Sequence, residues 1–168
     1  MPTTLDDIFS LVSPMNALPH SPRLLFYGIG NVGRQDDGLG IRLIEELENL
    51  NLPAQIELQS NYQLNIEDAL EISNFDVVIF VDATIEKDAI APFALRPIKP
   101  SDDIAFSTHA MGMESILALS DQLYGRTPKA FVLTIPGYSW EIKDELTEAA
   151  QQNLTSTIAA LKQRLLAL

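Results

Sequence analysis

Cysteine is absent from the 168 residues, which removes disulfides, thiol nucleophiles and zinc–thiolate sites together. Positive charge is scarce: 11 Lys and Arg stand against 23 Asp and Glu, a net charge of -12. Such a chain repels nucleic acid and anionic membrane surfaces and suits a small molecule, a cation or a protein partner. There is no apolar run of the roughly 18–20 residues a membrane span needs. The first residues, MPTTLDDIFSLVSPMNALPHSPR, lack the basic start and apolar stretch of a secretory signal. A cytoplasmic protein is the expectation. Histidine occurs twice, at His20 and His109, and neither G-x-S-x-G nor H-E-x-x-H is present, so the common hydrolase motifs are missing.

What remains is a chain rich in apolar residues, 46% of the total, with a length suited to one domain. Residues 1–22 carry four prolines and read as a leader, with a short helix at LDDIFSLV and otherwise loose packing. Its His20 reads as a surface residue. From residue 23 to 168 the pattern is regular. RLLFYGIG, AQIELQS, FDVVIFVDAT, PFALRPI and KAFVLTIPG read as strands. The third is apolar throughout, as a strand covered on both faces should be, and the fourth is an edge strand by its prolines. Between them, DDGLGIRLIEELENL and IEDALEISN have one-sided apolar spacing. In the second of these, Ile66, Ala69, Leu70 and Ile72 share a face. HAMGMESILALSDQLYG is a helix closed by Gly125. Residues 141–168 read as one terminal helix with Ile142, Leu146, Ala149, Leu154, Ile158, Leu161 and Leu165 inward. Strands alternating with helices predict an α/β sandwich on a mainly parallel sheet.

The segment FYGIGNVGRQDDGLG contains Gly28-Ile29-Gly30-Asn31-Val32-Gly33, the G-x-G-x-x-G spacing of dinucleotide sites. Its context opposes that reading, because Asp36 and Asp37 stand where a helix N-terminus would meet phosphate. No acid ends the second strand, as the fingerprint requires. Either aspartate could instead cap the helix. Two further residues point elsewhere. Asp82 ends the most buried strand, and His109 precedes a helix. In a sheet of order 2-1-3 the crevice lies beyond the first and third strands, which brings Asp37, Asp82 and His109 toward one edge. Two carboxylates and an imidazole form an oxygen–nitrogen set suited to a divalent first-row ion. A Ser-His-Asp arrangement using Ser107 and His109 is a weaker alternative. Gly38 or Gly40 is expected where backbone or substrate approaches closely.

At these residues the sequence resembles the hydrogenase maturation proteases, endopeptidases that trim a C-terminal extension from the large subunit of [NiFe] hydrogenases. The family's G-[IV]-G-N followed by D-[DE]-G-x-G reads here Gly28-Ile29-Gly30-Asn31 and Asp36-Asp37-Gly38-Leu39-Gly40. Its strand ending in D-A is Val81-Asp82-Ala83, and its T/P-H is Thr108-His109. The resemblance spans residues 24–165. It implies a three-layer α/β/α sandwich around a twisted, mainly parallel five-stranded sheet. It also implies that Asp37, Asp82 and His109 contact nickel carried by the precursor, with no permanently bound cofactor. The large-subunit precursor would be the partner. A D-G-G that many members carry after the second strand is replaced by Gln59-Ser60-Asn61-Tyr62-Gln63-Leu64-Asn65, so the role of that aspartate does not transfer. Tyr62 and Gln63 are instead candidates for reading the precursor's peptide. For catalysis two routes stay open: a metal-activated water or carbonyl, and Asp37 as general base. A docking or sensing module that binds a nickel protein without cutting it would carry the same residues, and a nucleotide-binding protein is the third reading.

Overall fold

A computed structural model describes residues 2–13, 21–102 and 111–168. Five strands form one sheet: β1 Leu24–Ile29, β2 Ile56–Asn61, β3 Val77–Thr84, β4 Ala94–Ile98 and β5 Lys129–Pro136. Their order is β2-β1-β3-β5-β4. All pairings are parallel except β4 with β5. Chain direction across the sheet therefore reverses sides after β1, and the crevice between β1 and β3 opens beyond their carboxyl ends. Pro97 of β4 lacks an N–H, which blunts the open edge.

Helices cover both faces: α1 Leu5–Phe9, α2 Leu39–Glu48, α3 Asp68–Ser73, α4 Met113–Tyr124 and α5 Glu148–Leu165. Alternate residues of each strand feed two separate cores. Leu24, Phe26, Val77, Ile79, Val81, Leu133 and Ile135 pack with α1, α2 and α5. Leu25, Tyr27, Val78, Phe80, Ala130, Val132 and Ile98 pack with α3 and α4. This is the expected three-layer sandwich. Helix α4 stops at Gly125, whose φ of 67° no Cβ opposes. Among the described residues no helix is long and apolar enough to cross a membrane.

Three expectations change. The leader is not loosely packed over residues 2–13: Leu5, Ile8, Phe9 and Val12 are buried in the core. A Thr4–Asp7 capping box starts its helix, and Arg164 Nε of α5 donates to Asp6 Oδ1 at 2.7 Å. Four apolar side chains outweigh the proline-rich composition, at about 1.5–3 kcal/mol each. Residues 14–20, with His20, lie outside the described residues. In α3, Ala69 and Ile72 turn inward and Leu70 is exposed, because only one side of this short helix is covered, while Ile66 lies before the helix begins and is exposed too. Finally, α5 begins at Glu148 rather than 141. Ile142 and Ala149 are exposed, while Leu154, Leu161 and Leu165 are buried and Leu146 and Ile158 pack at the core margin.

Candidate active site

After β1 the chain turns sharply. Gly33 N–H donates to Asn31 Oδ1 at 2.9 Å, and Arg34 N–H to the Asn31 carbonyl at 3.1 Å. The glycines of this stretch serve contacts of chain with chain. A Cβ on Gly40 would meet the carbonyls of Val81 and Ile29, and one on Gly28 would meet the Gly40 carbonyl. Helix α2 thus lies directly on the ends of β1 and β3. The close approach expected at Gly40 is made by backbone. Gly30 has a φ of 150° and sits against the Asp37 carbonyl, so the space a pyrophosphate would need beside these glycines is filled by protein.

Residues Gln35–Gly38 form a 3-10 turn ahead of α2, and its two aspartates have different fates. Neither caps a helix as the sequence suggested. Asp36 is fully buried. Its Oδ2 accepts from the N–H groups of Tyr138 (2.7 Å) and Ser139 (3.1 Å) and from Thr147 Oγ1 (2.7 Å). Its Oδ1 accepts from Thr147 N–H at 2.8 Å. Thr147 in turn caps α5 by accepting from Ala150 N–H. Asp36 therefore clamps residues 138–147 and fixes where α5 starts. Neighbouring groups reinforce the clamp: Gln35 N–H donates to the Lys143 carbonyl at 2.8 Å, Arg34 Nη2 to that of Trp140 at 3.1 Å and Arg42 Nη2 to that of Asp144 at 2.9 Å. Gln35 bears the cost, with φ at 49° and a buried Oε1 that has no hydrogen-bond partner.

Asp37 is half-buried and makes one such contact among the described residues, its Oδ2 accepting from Asn31 N–H at 3.1 Å. Asp82 stands near the end of β3, its Oδ1 accepting from Ala83 N–H at 2.9 Å. Burial pushes the Asp82 carboxyl up to about 6 and the nearby Asp37 charge adds to this, while the Ala83 N–H opposes it. The sheet thus brings Asp37 and Asp82 close enough to repel.

On the α3/α4 side a cavity of about 280 Å³ opens beside Asp82, lined also by Ile29, Gln63, Arg96, Met111 and Glu114. Gln63 lines this cavity, and Tyr62 is on the surface at 62% exposure. Their loop is held by Asp68, whose Oδ2 accepts from Asn65 N–H at 2.7 Å and whose Oδ1 accepts from the buried Tyr27 hydroxyl at 2.8 Å. Sequence reasoning missed Arg96, a cation two strands from Asp82 on the same sheet face. Strand parity could have found it: Asp82 pairs with Thr134, Thr134 with Ala94, and Arg96 follows two residues later. His109 and Ser107 lie outside the described residues. Among the described residues no cluster of three acids or histidines is poised for a metal. Asp37 and Asp82 supply two carboxylates, a hard oxygen pair suited to a divalent cation.

Comparison with known proteins agrees with this architecture. The chain is 27% identical over 117 residues to the Hydrogenase 2 maturation protease of Escherichia coli K12, covering 66% of this chain and 70% of that one. It is 28% identical over 120 residues to the hydrogenase expression/formation protein HupM of Azotobacter chroococcum, covering 67% of this chain and 56% of that relative's length. No family model matches. Among solved structures, the maturating endopeptidase HybD of E. coli superposes with a TM-score of 0.64 at 23% identity, over 84% of this chain and 93% of that one. The [NiFe] hydrogenase maturation protease HycI of Thermococcus kodakarensis gives 0.69 at 22%, over 85% and 92%. In sequence and in fold the chain is similar to the hydrogenase maturation proteases.

Proposed function

We propose that this chain is a cytoplasmic endopeptidase that removes a C-terminal extension from a nickel-loaded [NiFe] hydrogenase large-subunit precursor. The observation that carries the reading is the pair Asp37, in the turn that follows β1, and Asp82, near the end of the adjacent strand β3, close enough that the Asp37 charge helps burial raise the Asp82 carboxyl to about 6. Two carboxylates held in mutual repulsion gain when a cation comes between them. In this reading the cation is nickel borne by the substrate, and the protein keeps no cofactor of its own. His109, placed by sequence just before α4, would complete the contact.

Hydrolysis needs a group to take a proton from the attacking water. Asp37 fits this task, since Asn31 N–H fixes Oδ2 and Oδ1 has no partner among the described residues. The carboxylate would accept the water proton as the water oxygen adds to the scissile carbonyl, then return it to the leaving amine. Nickel contact would position the peptide beside it.

Purified protein incubated with nickel-loaded and nickel-free precursor, followed by mass spectrometry, tests the reading. Loss of the extension only from the loaded precursor is expected, and His109→Ala should end it. Stable association without any mass change would make the chain a docking module instead.

A further inference from the structure

A second cavity, of about 310 Å³, lies at the same edge of the sheet, between the end of β3 and the loop after β5. Ile85, Glu86, Lys87, Gly137, Tyr138 and Trp140 line it. We propose that it is a subsite for one large apolar side chain, aliphatic or aromatic, of the protein substrate, two to three residues from the bond cut beside Asp37. The inference rests on the endopeptidase reading above.

Position comes first. Ile85 follows Asp82 by three residues along the chain, and Gly137 packs against Asp36, where a Cβ would lie 2.7 Å from the Asp36 Cβ. An extended peptide advances roughly 3.3 Å per residue, so a substrate strand leaving the carboxylate pair reaches this cavity within two or three residues. The volume lies at the lower end of the roughly 300–1,000 Å³ of ligand pockets, enough for a side chain but small for a cofactor.

Presentation comes next. Ile85 is 71% exposed and Tyr138 54%, yet the loop that carries Tyr138 is firmly tied. Gly137 N–H donates to the Thr84 carbonyl at 3.0 Å. Tyr138 is held at both ends, its N–H by Asp36 and its hydroxyl by Asn153 Nδ2 at 2.9 Å. Apolar surface held rigid in water loses little conformational freedom on binding, which is what an interface anchor requires. Glu86 and Lys87 give the lining one charge of each sign, while two copies of this chain, each at net charge -12, repel one another overall, so a separate peptide is the occupant.

Trp140 is the chain's one tryptophan, so its emission reports on this cavity. The full-length protein would be titrated with tryptophan-free Gly-Ser heptapeptides carrying a single central Leu, Phe or Asp. A saturable change with Leu and Phe peptides, at least tenfold tighter than with Asp, is expected, and Ile85→Ser should remove it without lowering Tm. With nickel-loaded precursor, Ile85→Ser should raise KM at least fivefold and leave kcat within twofold. Equal responses to all peptides, an unaltered response in Ile85→Ser, or an emission change with protein concentration alone would overturn the subsite. Peptide selectivity without precursor cleavage would sink the endopeptidase reading and leave the subsite. Cleavage with an Ile85-independent KM would do the reverse.

Discussion

The loops after β1 and after β2 reach the same edge of the sheet by different means. The first, residues 31–38, is tied through Asp36 to groups more than a hundred positions away, Tyr138, Ser139 and Thr147. The second, residues 62–67, carries mostly short-range side-chain bonds, Tyr62 N–H to Asn61 Oδ1 and Asn65 N–H to Asp68, with two distant ties, the Tyr27 hydroxyl to Asp68 and Met111 N–H to the Leu64 carbonyl. Buried charge with all its donors satisfied makes the first loop a framework. The second presents neutral amides, the half-buried Gln63 and Asn65, on either side of the buried Leu64. A catalytic acid belongs on the rigid loop, and a side chain that selects among peptides can sit on the other.

Removing the clamp should have the largest effect. Asp36→Ala leaves part-buried N–H groups of Tyr138, Ser139 and Thr147 unpaired and frees the Thr147 side chain that caps α5, and should cost about 2–4 kcal/mol in urea unfolding. A loss below about 1 kcal/mol would mean that the two loops are not coupled. Gly40→Ala comes next. Its methyl would meet the carbonyls of Val81 and Ile29, so about 1–3 kcal/mol of overpacking is expected, together with reduced processing as α2 and Asp37 are pushed from β3.

Asp82→Asn should act with the opposite sign on stability. The folded carboxyl titrates near 6, above its ordinary 3.8, so protonation favours the fold. That contribution is full below about pH 4 and is lost as pH rises through 6. At pH 7 the wild type holds a charge that burial and Asp37 oppose. The amide should therefore be more stable than wild type by about 1–2 kcal/mol, discounted for partial exposure. At pH 4 the two should match, and precursor processing should be lost throughout. Thermal melts at both pH values decide this, and a pH-independent difference would contradict the assigned shift. The smallest effect belongs to the second loop. Gln63→Ala should leave stability within about 0.5 kcal/mol and raise KM for precursor a few-fold, because Gln63 lines the Asp82 cavity. Tyr62→Ala, at the surface, should change KM less. Equal losses from both would make the whole loop a reading surface.

Most of the architecture was legible in the chain. The apolar run 77–81 is a central strand because five consecutive buried positions leave no face for water, and Pro97 marks β4 as an edge because it cannot complete a ladder. The placing of Asp37 and Asp82 at one crevice followed from strand order alone. Arg96 was not picked out, since a lone Arg in an edge strand reads as solvated until its sheet face is known. The leader was misread because proline content describes the backbone and says nothing of what Leu5, Ile8 and Phe9 could cover.

By itself the sequence determined the alternation of strands and helices, the parallel sheet and the acids at its carboxyl edge, all of which rest on periodicity and burial over short windows. Only the tertiary structure decided which of two adjacent aspartates is buried with four donors and which is half-buried with a single donor among the described residues. Periodicity continued through Ile142 and Leu146 predicted helix from residue 141. Asp36 accepts from the N–H groups of Tyr138, Ser139 and Thr147, which holds residues 138–147 as a loop and makes Thr147 the cap of α5. A carboxylate with four donors satisfied across such separations has no local signature, so its effect on chain direction appears only once the sheet has brought both loops together.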